Sequence, residues 1–167
     1  TFGTGCGFLE EDYENVVRMR VYTIGEYFLG TGPDGRVNAF YRRFWMTISQ
    51  LVKEFGVENC TMQTQTSFKS NQPDLGVKVN FLIEENDKRM PQYKDYKNMA
   101  YRSVYWEDGA KNDSYLRIGG YEELPTLTPR WMTTTTAVAY GRSPGWKMLG
   151  DTKMLQRLQK SKLIAVD

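Results

Sequence analysis

The sequence predicts an α+β fold, mostly antiparallel strands and hairpins, with one short helix and one long C-terminal helix. Three observations predict it. Several short runs alternate apolar with polar residues, the two-residue period of a strand with one buried face. Turn chemistry built on Gly, Pro, Asp and Asn separates those runs at hairpin spacing. Only one stretch, opened by Ser143-Pro144, sustains a helical period for long, because a serine hydroxyl there accepts an orphan amide and proline at the first helical position has none to lose.

Taken in order, Thr1 to Leu9 is a small-residue, strand-like run. Val17, Met19 and Val21 alternate with Arg18, Arg20 and Tyr22, which predicts a strand that buries its apolar side. Gly30-Thr31-Gly32-Pro33-Asp34-Gly35 is a tight reversal, and Arg36 to Met46 returns from it to complete a hairpin, with Phe40, Phe44 and Met46 on one face. Thr47 with Gln50 makes a capping box, Met46 and Leu51 are placed to staple it, and Gly56 closes a short helix near 48–55 that carries Leu51, Val52 and Phe55. Cys60 to Leu75 is polar and reads as loop.

Val77, Val79, Phe81 and Ile83 alternate with Lys78, Asn80 and Leu82, a further strand, and Glu84 to Asn98 is an exposed connection. Ala100 to Trp106 and Tyr115 to Ile118 form a second hairpin across Asp108 to Asp113, ended by Gly119-Gly120. Pro125 and Pro129 bar a helix before Arg130 and leave an extended approach to Ser143. From Pro144 to about Lys162 the residues Met148, Leu155 and Leu158, with Met154 at their edge, fall on one arc expected to pack. Lys153, Arg157 and Lys160 fall roughly opposite.

At 167 residues, 40% of them hydrophobic, the chain is sized for one domain with its own core. A net charge of +2 does not by itself demand an anionic partner. Cys6 and Cys60 are too sparse for a disulfide framework and are expected as free, buried thiols. No run approaches the roughly 18 apolar residues of a membrane span, and no charged-then-apolar leader precedes the first strand, so a soluble, untargeted chain with no membrane partner is expected. Neither end reads as a natural terminus.

There is no histidine, which removes the usual general base, the commonest metal ligand and every Ser-His or Cys-His nucleophile pair. Gly3-Thr4-Gly5-Cys6-Gly7 lacks the lysine of a phosphate loop and reads as close backbone packing. Glu10-Glu11-Asp12 and Glu84-Glu85-Asp87 read as solvated turns; two cysteines cannot build a four-ligand zinc site. No catalytic residue, metal site or cofactor is therefore expected. The cations Lys153, Arg157 and Lys160 are the best functional candidates, either touching phosphates of DNA or pairing with acids of a neighbouring subunit. Arg142 and Trp146, at an otherwise polar helix entrance, are candidate subunit-interface anchors.

The segment Tyr140-Gly141-Arg142-Ser143-Pro144, followed by Leu149-Gly150-Asp151, resembles portal proteins (head-to-tail connecting proteins) of short-tailed bacteriophages. Upstream, Phe2-Gly3-Thr4-Gly5-Cys6, Glu10-Glu11-Asp12, Ile24 to Leu29, Asp34-Gly35-Arg36-Val37, Tyr41-Arg42-Arg43-Phe44, Tyr101 to Trp106 and Pro129-Arg130-Trp131 are similar to the same family in the same order. The resemblance implies the middle segment of a longer subunit. Residues 1–139 would be a strand-rich, wing-like region, and 140–167 the GRSP turn and the start of a long helix. It also implies a dodecameric ring at one capsid vertex, with a channel for packaging and ejecting double-stranded DNA and with capsid protein, terminase and tail adaptor proteins as partners. The enzyme of that system is the motor and not the ring. The alternative reading is a metal-dependent nucleic-acid-processing enzyme, or its binding subunit, using the acidic clusters.

Overall fold

The computed structural model describes residues 3–90, 92–93, 95–110, 114–135 and 138–166. Thirteen elements follow in order: β1 (Cys6–Asp12), β2 (Val16–Tyr22), β3 (Tyr27–Thr31), β4 (Val37–Thr47), α1 (Ile48–Phe55), a 3-10 turn at Val57–Asn59, α2 (Met62–Lys69), β5 (Gly76–Glu85), a second 3-10 turn at Tyr96–Asn98, β6 (Tyr101–Glu107), β7 (Arg117–Tyr121), β8 (Thr126–Leu127) and α3 (Pro144–Val166). All strand pairs are antiparallel, so the class is α+β as predicted.

The strands form a five-stranded sheet, β3-β4-β5-β6-β7, and a three-stranded sheet, β2-β1-β8. One face of the larger sheet carries Phe40, Phe44 and Met46 of β4 beside Ile83, Val79 and Val77 of β5. The smaller sheet covers one end of that face: Phe8 of β1 lies 5.7 Å from Phe40 and 5.8 Å from Phe81, ring centre to ring centre. Helix α1 covers the other end with Leu51 and Phe55 against Val79 and Leu116. The two buried clusters on this face, one mainly aromatic around Phe8, Phe40 and Phe81 and one around Leu51, Phe55 and Val79, form the core.

The alternating runs at β5 and β6 and the capped helix α1 stand where the sequence places them. In α1 the Thr47 hydroxyl accepts from the Gln50 amide at 3.3 Å and the Gln50 side chain accepts from the Thr47 amide at 3.1 Å, while Gly56 closes the helix at φ 84. Both cysteines are free and buried, and desolvation pushes each thiol up to about 11.

Five expectations are corrected. The reversal at Gly30–Gly35 joins β4 to β3, not to the strand at 17–21, which pairs with β1 instead. In β2 the period is right and the buried side is wrong: Val17, Met19 and Val21 point outward and are exposed. The opposite side of the strand holds Tyr22, stacked on Phe40 at 6.0 Å, and two arginines paired with acids of β1. Residues 62–69, expected as loop, are α2, a polar helix held through Glu107 of β6. That buried carboxylate accepts from the Thr61 amide at 2.7 Å, the Thr61 hydroxyl at 2.8 Å and the Thr64 hydroxyl. Gly119 and Gly120 do not end their hairpin; they pair with Ser103 and Arg102 inside β7. Gly120 is required there because the Tyr96 carbonyl would lie 2.4 Å from any Cβ.

The fifth correction concerns α3. It begins at Pro144 as predicted and runs to Val166, but every residue from Pro144 to Ala165 is exposed, so the arc of Met148, Leu155 and Leu158 packs on nothing among the described residues. No described helix is long and apolar enough to cross a membrane.

Candidate functional site

Four segments distant in sequence meet where α3 starts. The Trp131 amide donates to the Gly3 carbonyl at 2.7 Å, the Gly5 amide to the Pro129 carbonyl at 3.0 Å, and Thr4 bridges to Arg130 as an isolated antiparallel pair. Into this frame comes Tyr140 to Ser143: the Gly141 amide donates to the Thr4 hydroxyl at 2.7 Å and the Arg142 amide to the Met132 carbonyl at 2.7 Å. The Tyr140 hydroxyl accepts from the Leu29 amide at 3.1 Å, and Arg130 donates to the Gly35 carbonyl at 2.7 Å, so the β3–β4 hairpin is tied in as well.

The small residues at this crossing are a steric necessity. A Cβ on Gly3 would lie 2.5 Å from the Arg142 backbone carbon, and one on Gly141 would lie 2.4 Å from the Gly3 carbonyl oxygen. This is the close backbone packing expected of the Gly3–Gly7 run. Ser143 is buried and its hydroxyl accepts from the Gly145 amide at 3.0 Å, which satisfies one of the orphan donors that open a helix. Trp131 and Trp146, both about 70% exposed, rim an open cleft of about 900 Å³ beside Gly3–Gly5 and Pro129.

Among the predicted site residues, Arg142 and Trp146 flank Ser143 and are both exposed. Lys153, Arg157 and Lys160 follow on α3, also exposed, and among the described residues none of them forms an ion pair. At 100° per residue, Trp146, Leu149, Lys153, Arg157 and Lys160 share one face of the helix. The acidic clusters do not converge. Glu10 pairs with Arg20 at 2.8 Å and Asp12 with Arg18 at 2.9 Å, while Glu11 points to the other side of β1; Glu84 pairs with Arg102. The Glu14 backbone amide, then Asn15, holds the Asp12 carboxyl below its usual range. Among the described residues no three His, Cys, Asp or Glu side chains are grouped to hold a metal ion.

Thr4, Arg130 and Tyr140 were missed as positioning residues. Their only signal was membership of motifs to which the residues themselves assign no chemistry.

The motifs that converge here are those of a single family: the model for "Bacteriophage head to tail connecting protein" matches residues 1–167. The chain belongs to that family. It is 38% identical over 167 residues to the portal protein of Salmonella phage epsilon15, covering 100% of this chain and 30% of that protein. It is likewise 38% identical over 166 residues to the probable portal protein of Bordetella phage BPP-1, covering 99% of this chain and 30% of that protein. This connector chain therefore spans about a third of the length of the relatives it matches, and its motif residues Gly3–Gly5, Pro129–Trp131 and Tyr140–Ser143 form one structural unit, the root of α3.

Proposed function

We propose that this chain is part of a structural subunit of a portal ring at the capsid vertex of a virion, assembled in the host cytoplasm. The ring is dodecameric, encloses a channel for packaging and ejecting double-stranded DNA, and docks capsid protein, terminase and tail adaptor proteins. The observation that carries this reading is the combination at the root of α3: family motifs more than a hundred residues apart are hydrogen-bonded together to launch a 23-residue helix that its own described residues leave bare. A long, partly apolar helix exposed on all sides is costly in water and suits a subunit made to be covered by neighbours. The proposed role is structural and not catalytic, in keeping with the names of the relatives.

Exposed Trp146 and Arg142 at that root are the proposed interface anchors. In negatively stained images the full-length protein is expected to form closed rings of twelve-fold symmetry that do not turn over ATP. Trp146→Ala is expected to reduce ring yield at least tenfold while circular dichroism of the subunit stays unchanged. A wild-type protein that forms no closed ring overturns the portal reading; normal rings from the variant overturn the anchor.

A further inference from the structure

The basic face of α3 is also an apolar face, and its two characters are separated along the helix. Trp146 and Leu149 come first, and Lys153, Arg157 and Lys160 follow, over a span of about 20 Å at 1.5 Å per residue, with exposed Ile164 a turn further along the same face. A surface that meets DNA through charge alone has no use for an exposed tryptophan and leucine among its cations. A protein partner with an apolar end and an acidic end suits it better.

The β1–β2 hairpin has that pattern. Its outward side is built from the pairs Gly7–Val21, Leu9–Met19 and Glu11–Val17, so it runs from an apolar base to an acidic tip over about 13 Å at 3.3 Å per residue. Val21, Met19 and Val17 are all exposed, Tyr13 at the tip is fully exposed, and among the described residues Glu11 and Glu14 form no ion pair. β2 is moreover an edge strand.

We propose that this face of α3 receives the outward face of the β1–β2 hairpin of a second copy. Val21 and Met19 lie toward Trp146 and Leu149, and Glu11 and Glu14 toward Lys153 and Arg157. The two patches are different surfaces of one chain, so the contact is head-to-tail, the kind that closes identical subunits into a ring. The inference rests on the portal reading and adds to it the identity of the contact.

A charge-swap in the full-length protein tests it. Reversing the hairpin (Glu11→Lys with Glu14→Lys), or reversing the helix (Lys153→Glu with Arg157→Glu), is expected to lower ring yield at least tenfold. All four changes together are expected to restore it. If either reversal alone leaves ring yield at the wild-type level, the contact is refuted and the portal reading stands. If the helix reversal spares the ring but changes DNA retention in assembled heads, the face meets DNA and the contact is again refuted. Wild-type protein without rings would refute the portal reading itself. To separate lost contact from lost folding, Val21→Cys with Leu149→Cys should give a ladder of disulfide-linked oligomers on a non-reducing gel from oxidised rings, Cys6 and Cys60 being buried. Rings that give no ladder refute the contact.

Discussion

Helices α1 and α3 both start at a hydroxyl cap and both carry apolar residues at helical spacing, yet one is buried by its own chain and the other is bare. In α1, Ile48 and Leu51 are fully buried and Phe55 nearly so, because the helix follows β4 directly and folds back over the sheet face that β4 and β5 share. In α3 the leucines at 149, 155 and 158 are each at least half exposed. Local sequence specifies a helix in both cases. Whether an apolar arc is covered depends on what the chain, or another copy of it, brings alongside.

The widest separation between the two should appear on truncating a leucine in each. Leu51→Ala removes a fully buried side chain and is expected to cost about 2–5 kcal/mol. Leu155→Ala in the same unassembled protein is expected to change stability by less than about 0.5 kcal/mol. Urea denaturation of both variants checks this, and a large loss at Leu155 would mean that the helix is covered within its own subunit.

A smaller effect sharpens the comparison by adding α2, which is held through neither an apolar face nor a neighbour. Glu107→Ala leaves the donors of Thr61 and Thr64 without their buried acceptor, at an expected cost of about 1–3 kcal/mol. Hydrogen exchange in Met62–Lys69 should accelerate with it. Unchanged protection there would show that α2 stands without the carboxylate.

The smallest effect has the opposite sign. Gly150 lies inside α3 with nothing within 4 Å of a Cβ placed on it. Gly150→Ala is thus expected to favour the helix by about 0.5–1 kcal/mol, read as increased helical circular dichroism. A loss of helicity would mean that something close to Gly150 needs the space.

What the sequence made legible follows the same division. The α1 cap, the α3 start and the β5 face were readable because each is written in residues within a few positions of one another, Thr47 with Gln50 and Ser143 with Pro144. α2 was not, since Met-Gln-Thr-Gln-Thr-Ser-Phe-Lys has no apolar period and its tether, Glu107, is more than 40 positions away. Strand β3 was missed because it is five residues long and runs straight into the glycines of its own turn. In β2, alternation fixes that two sides differ and says nothing of which one meets the core; Arg18 and Arg20 turn toward Asp12 and Glu10, and the valines are left outside. The cations of α3 and the aromatic at its root were readable as a pattern, whereas the crossing that roots them joins Thr4 to Gly141 and leaves no local trace.

That crossing also sets a clock. Thr4 and Gly141 are 137 positions apart, and at a synthesis rate of about 5–20 residues per second the second is made roughly 7 to 27 s after the first. Throughout that interval the Gly3-Thr4-Gly5 segment waits on the ribosome without its partner, while the β1–β2 hairpin, whose contacts are local, is free to form within microseconds. A nascent chain thus displays the hairpin long before α3 has a root.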